Sequence, residues 1–332
     1  MDYIRPLVQH GAARPADALP LAGRTDLWFT HAERLSREGA PSVLPVGKVA
    51  PEVLERLTAP RVDYAGLSMD TPRIMGIVNT TPDSFSDGGR HALAADALVG
   101  AGAMATAGAD ILDIGGESTR PGAETVPDAE EIQRTEPVIG ALSRDNAAVI
   151  SIDTRKAAVG RAAVEAGAAI VNDVSGFTYD PHLADVAVQS GTAVCVMHAL
   201  GDPATMQDDP QYDDVLLDVY DYLAERVVAL EAIGIERARI AIDPGIGFGK
   251  TVDHNLALLR GLSLFHGLGC PILLGVSRKG FIGRIGQQPD AALRAPGSIA
   301  LGLEGLAQGV QILRVHDVAE TVQAVRLWQA VR

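Results

Sequence analysis

Ten polar residues in this chain share one position: each closes a short apolar run. They are Asn79, Asp113, Asp153, Asn172, Asp173, His198, Asp243, Ser277, Arg314 and His316. Any one of them could simply cap the element that follows, as Asp and Asn often do. Acids, amides and cations at the end of nearly every run instead suggest a polar substrate and an anion held in one place. Three loops add to this set. GIVNTTPDSFSDGG (76–89) is long for a connection and carries Asp83, Phe85 and Asp87 among Pro82, Gly88 and Gly89. It reads either as a solvated turn or as a lid bearing acids. GGESTRPGA (115–123) sets Thr119, Arg120 and Pro121 between glycine turns, an arrangement suited to contacting an anion. DPGIGFGKT (243–251) ends like a phosphate-binding P-loop, but Pro244 stands where that motif needs its first glycine. Its glycines suit close approach to a flat heterocycle instead, with Phe248 walling a neighbouring pocket.

The elements that must position these residues can be read from hydrophobic pattern. Apolar runs at 73–79, 110–115, 148–153, 168–173, 192–198, 239–243, 271–277 and 310–316 predict strands. Longer stretches between them, such as 214–234, repeat apolar residues at spacings of three and four and predict helices. Continuous β-branched runs imply strands buried on both faces, hence parallel and covered by helices. Eight such units predict a (β/α)8 TIM barrel, whose strand ends converge on one mouth. An open doubly wound sheet is the other architecture the spacing allows. Residues 1–70 are rich in Pro and Arg and lack sustained periodicity before a short helix at 51–59. They are expected to form an extension packed on the barrel of residues 71–332.

Composition narrows the function classes. With 28 Lys and Arg against 42 Asp and Glu, the net charge is −14, which disfavours nucleic acid and anionic membranes as partners. The cysteines, Cys195 and Cys270, lie in apolar surroundings and predict reduced core residues rather than a disulfide framework. The first thirty residues hold no apolar stretch like that of a secretory signal, and no run approaches the length of a membrane span. A cytoplasmic location is the expectation.

The paired loops at 76–89 and 115–123 resemble the signature loops of the dihydropteroate synthases. The similarity continues, in family order, through SIDTRK, IVNDVSG, VMH, DPGIGFGK, GVSRKGFIG and ILRVHDV, over residues 73–332. The resemblance implies condensation of 6-hydroxymethyl-7,8-dihydropterin pyrophosphate with p-aminobenzoate, with Mg²⁺ as cofactor and a homodimer as assembly. It assigns Asp153, Asn172, Asp243 and Lys279 to the pterin, and Thr119, Arg314 and His316 to its pyrophosphate. Phe85, Thr119, Pro121, Phe248 and Ser277 are implied for p-aminobenzoate, and Asn79 for the metal. Asp83, Asp87, Arg120 and Asp153 are implied for the chemistry. Two related functions would use the same barrel: a pterin-dependent methyltransferase serving a corrinoid protein, and a catalytically silent pterin-binding paralogue. The first needs neither TPDSFSDGG nor the Arg314/His316 pair, and the second would have lost loop residues. One departure is Ala199-Leu200 after His198, where the family more often has Met followed by Gln or Arg.

Overall fold

The computed structural model describes residues 2–11, 13–81, 90–118, 125–145, 148–201 and 205–332, with backbone only at 90–93. The chain opens with short strands: β1 (Tyr3–Pro6), β2 (Gln9–His10), β3 (Leu19–Pro20), β4 (Leu27–Phe29), β5 (His31–Leu35) and β6 (Ser42–Pro45). They form two small antiparallel sheets, ordered β1-β5-β6 and β2-β4-β3. Periodicity does not signal them, because strands of this length are too short to display an alternating pattern. The expected helix is present as α1 (Pro51–Thr58), with a proline in its first turn, where a missing N–H costs nothing.

Strands and helices then alternate. The first half comprises β7 (Arg73–Asn79), α2 (Arg90–Ala107), β8 (Ile111–Gly115), α3 (Asp128–Asp145), β9 (Val149–Asp153), α4 (Ala157–Ala166), β10 (Ile170–Asp173) and α5 (His182–Ser190). The second comprises β11 (Ala193–Met197), α6 (Val215–Ala232), β12 (Ile240–Asp243), α7 (Val252–Arg260), β13 (Leu273–Leu274), α8 (Gly280–Ile285), α9 (Ala295–Ala307), β14 (Ile312–Val315) and α10 (Val318–Ala330). The strands make one parallel sheet in the order β12-β11-β10-β9-β8-β7-β14-β13. Its two ends meet through a parallel bridge between Ile242 and Ile272, where the Ile242 N–H donates to the Pro271 carbonyl at 2.9 Å. The sheet is therefore closed, and the fold is a TIM barrel rather than an open doubly wound sheet. β13 is shorter than the run at 271–277 predicts. Pro271 has no N–H to give to a ladder, and the chain turns away by Arg278, whose φ is +57°.

Period two sorts the strand residues into two layers. Ile74, Val78, Leu112, Ile114, Ile150, Ile152, Val194, Val196 and Leu313 face outward into the core shared with the helices. Met75, Ile111, Ile170, Ala193, Cys195, Ala241, Leu273 and Ile312 fill the barrel interior. Tyr64 and Met69, from the end of the N-terminal extension, belong to that interior cluster and are 1% exposed. They plug the barrel from below. The extension is tied to the barrel wall as well: Ser263 Oγ donates to the Pro6 carbonyl at 2.9 Å and Arg61 to the His266 carbonyl at 3.0 Å.

Candidate functional site

Two residues beyond the apolar interior layer, on the same inward face, the strands change character. Ile111 is followed by Asp113, Ile170 by Asn172, Ala241 by Asp243 and Ile312 by Arg314, and Asp153 joins them from β9. Arg314 lies between two acids: Nε donates to Asp113 Oδ2 and Nη2 to Asp153 Oδ2, each at 2.6 Å. Asn172 Nδ2 donates to the same Asp113 oxygen at 3.1 Å. The other carboxylate oxygens of Asp113 and Asp153 are buried and accept no hydrogen bond from the described residues. Buried acceptors left open in this way are costly unless a ligand supplies donors. Burial pushes the Asp153 carboxyl up to about 7, against the pull of Arg314. For Arg314 burial opposes the charge, but Asp113 and Asp153 outweigh it and keep the guanidinium ionised.

Asn79, Asp153 and Asn172 stand in one row of the sheet, with Gly115 between the first two. Asn79 ends β7 half-buried, and its amide oxygen is a hard donor of the kind Mg²⁺ accepts. Among the described residues no group of three His, Cys, Asp or Glu is placed to hold a metal.

On the opposite side of the mouth, the loop after β12 reads the site through its backbone. Asp243 Oδ1 accepts the Gly245 N–H at 2.7 Å, which locks the carboxylate, and burial raises its pKa. Gly245 has a φ of +67°, and a Cβ there would lie 1.8 Å from the His198 carbonyl oxygen. The Lys279 ammonium sits 4.1 Å above the Phe248 ring. Burial lowers Lys279 to about 8, with Asp243 opposing the shift. Ser277 Oγ accepts the His316 N–H at 3.1 Å and lies 2.9 Å from His316 Nδ1. Thus Arg314 is joined directly to Asp153 and, through Asp113, to Asn172; Asp243, Lys279 and Phe248 form a second group, and Ser277 with His316 a third. Asp83, Phe85, Asp87, Thr119, Arg120 and Pro121 lie outside the described residues.

Several strand-end residues turn out to do other work. Asp173 faces away from the mouth and caps the following loop, accepting from the Ser175 and Phe177 N–H groups at 2.7 Å each. His198 is buried against Lys250. Asp113 sits at the centre of the charge network, although its sequence position alone assigns it no role. A second buried cluster escapes the sequence reading altogether. Lys156 Nζ contacts Glu117 and Glu131, each at 2.6 Å, and the Val126 carbonyl at 2.5 Å. Arg155 Nε pairs with Glu117 at 3.0 Å. Together these tie Glu117, within the second signature loop, and Val126, just beyond it, to the chain that leaves β9. The signal in sequence is the Arg155-Lys156 pair, which begins two residues after the strand-end Asp153.

The chain is similar to known proteins over this whole region. The sequence profile described as pterin binding enzyme matches residues 75–316. Dihydropteroate synthase of Escherichia coli is 44% identical over 264 residues, spanning 80% of this chain and 93% of that protein. The structure of Xanthomonas albilineans dihydropteroate synthase with 4-aminobenzoic acid superposes with a TM-score of 0.77 at 47% identity, covering 82% of this chain and 98% of the other. The same enzyme in complex with 7,8-dihydropteroate gives 0.74 at 44% identity, with the same coverage. A barrel whose mouth carries open acids, amides and cations, matched over this length and at this identity, belongs to the pterin binding enzymes, in the dihydropteroate synthase family.

Proposed function

We infer that this chain condenses 6-hydroxymethyl-7,8-dihydropterin pyrophosphate with p-aminobenzoate, giving 7,8-dihydropteroate and pyrophosphate. The observation that carries the reading is the inward set Asp113, Asp153, Asn172, Asp243, Lys279 and Arg314, in which two buried carboxylate oxygens have no partner among the described residues. A pterin ring presents an amine and ring N–H donors beside carbonyl and ring-nitrogen acceptors. Open carboxylate oxygens suit the donors, and the Asn172 amide and Lys279 ammonium suit the acceptors.

The bond that breaks joins the exocyclic methylene to the pyrophosphate oxygen, which keeps the electron pair. The pterin delocalises the cation left behind, and the ionised Asp153 carboxylate stabilises it electrostatically. Arg314 and His316 take up charge on the leaving group. The arylamine nitrogen then attacks the methylene and loses a proton. It needs positioning more than a strong base, and Phe248 and Ser277 supply part of that pocket. The residues of the two signature loops, Asp83, Phe85, Asp87, Thr119, Arg120 and Pro121, complete the proposal. Mg²⁺ bound at the Asn79 amide oxygen would neutralise pyrophosphate charge. A homodimer, implied by the resemblance, and the cytoplasmic location expected from the apolar pattern belong to the same reading.

Pyrophosphate release, followed by a coupled assay, tests the reaction. Release that depends on p-aminobenzoate and yields dihydropteroate is the expected result; a chain that binds the pterin pyrophosphate yet forms no product refutes it. Titrating Mg²⁺ against the wild type and Asn79→Ala tests the metal. The variant should need more Mg²⁺ and more pterin pyrophosphate, and full wild-type activity in excess chelator would remove the metal from the scheme.

A further inference from the structure

Lys250 is the one residue of the DPGIGFGK loop whose chemistry the reaction above leaves unused. It is 3% exposed, yet among the described residues no carboxylate touches its ammonium. Its Nζ lies 2.9 Å from His198 Nδ1, 2.9 Å from the Phe248 carbonyl and 3.3 Å from the His198 carbonyl. A phosphate-binding lysine would project from its loop; this one folds back beneath it. We propose that Lys250 is a positioning residue for the pterin-reading side of the site, tying the glycine loop 244–249 to the chain that leaves β11 at His198.

The physical need for such a tie is local. Gly245, Gly247 and Gly249 all have positive φ, so the loop has few side chains with which to hold itself. It is instead gripped from outside: Gln207 donates to the Gly247 carbonyl at 2.7 Å, Tyr212 to the Gly249 carbonyl at 2.8 Å, and Asn255 accepts the Gly247 N–H at 2.6 Å. Lys250 supplies the innermost grip. It satisfies the buried His198 carbonyl and the part-buried Phe248 carbonyl, one at each side of the junction. Because the His198 N–H also donates to the Asp243 carbonyl at 3.0 Å, this junction sets where Asp243 and Phe248 stand.

The charged and titratable groups around Lys250 are His198 just beyond β11, Asp243 on β12, Lys279 beyond β13, and Tyr212 and Tyr222 around His198. Burial, with Lys250 beside it, holds the His198 imidazole neutral, so Nδ1 can accept. Burial also lowers Lys250 itself to about 7, with Asp243 opposing. The charged, stronger donor is therefore present below that pH and is lost above it.

The inference rests on the pterin reading of the site, and the test keeps the two apart. Affinity for a pterin analogue is measured by calorimetry at pH 6 and pH 8.5 for the wild type, Lys250→Met, Lys250→Gln and Asp243→Ala, with melting curves and steady-state KM and kcat alongside. Lys250→Met, folded, is expected to weaken the analogue about tenfold or more at pH 6 and to raise KM for both substrates more than it lowers kcat. Lys250→Gln, which still donates to the two carbonyls, should recover part of that loss. The wild type should bind more weakly at pH 8.5 than at pH 6, and both Lys250 variants should lose that component. If Lys250→Met folds and matches wild-type affinity at both pH values, the positioning role is overturned. If it does not fold, Lys250→Gln decides: a pH slope like that of the wild type overturns the proposal. A wild type that binds no pterin analogue overturns the functional reading itself.

Discussion

Asp243 offers the sharpest test of a single residue. One oxygen is held by the Gly245 N–H, so the carboxylate is oriented before any ligand arrives. Replacing it by Ala leaves pterin donors unpaired in a buried site, at about 1–3 kcal/mol for each donor. Asp243→Ala should therefore lose pterin binding while its melting temperature stays near that of the wild type; calorimetry with a melting curve separates the two. Asp153 makes a prediction about pH. Its carboxyl is raised to about 7 by burial, so between its ordinary value of 3.8 and that pH the folded chain holds a proton the unfolded chain releases. The folded state binds more protons there, and the Asp153 contribution to stability falls as pH rises through that window. Asp153→Asn removes the titration. Relative to the wild type, the variant should gain in melting temperature from pH 5 to pH 8, and a constant difference across that range would contradict the assignment.

At the scale of the element, the loops after the strands are set by contacts that allow little substitution. Gly245→Ala would place a methyl 1.8 Å from the His198 carbonyl oxygen, in a backbone conformation that L-residues avoid. The loop must move, and both Asp243 and Phe248 with it, so pterin affinity should fall at least about tenfold, beyond any loss of stability. The Lys156 cluster acts in the same way at the stem of the second signature loop. Lys156→Met leaves Glu117 and Glu131 buried without their shared cation, a change that costs about 3–5 kcal/mol. A large drop in melting temperature is expected, partly recovered in Lys156→Met/Glu131→Gln. An unchanged melting temperature in the single variant would mean the cluster carries no stability.

For the whole molecule, the question is what residues 1–70 contribute. Every residue assigned to the site lies from Asn79 onward, so a chain starting at Thr71 is expected to keep its turnover number if it folds. Yet Tyr64 and Met69 fill the bottom of the barrel, and burying one large side chain of this kind contributes about 2–5 kcal/mol. A chain starting at Arg61 should therefore melt well above one starting at Thr71. Equal melting temperatures would show that the plug is dispensable.

The eight apolar runs, the helical spacing between them and the polar residue closing each run are local properties, and they are legible from the sequence by itself. Period two even carries the inward face from Ile111 to Asp113 and from Ile312 to Arg314, because successive side chains on a strand must alternate. Closure through Ile242 and Ile272 is a different matter. It pairs the first residues of one run with the last of another, and an open sheet would have the same local pattern. Tertiary structure alone also separates the strand-end residues by task. Asp113 pairs with Arg314 over the intervening strand β7 while Asp173, equally polar, turns outward to cap a loop. Lys250 and Lys156 are simply cations in the sequence, and only the packing around them makes them buried ties. The physical reason is common to these cases: spacing sets which way a side chain points, but the partner that satisfies a buried charge comes from a distant part of the chain.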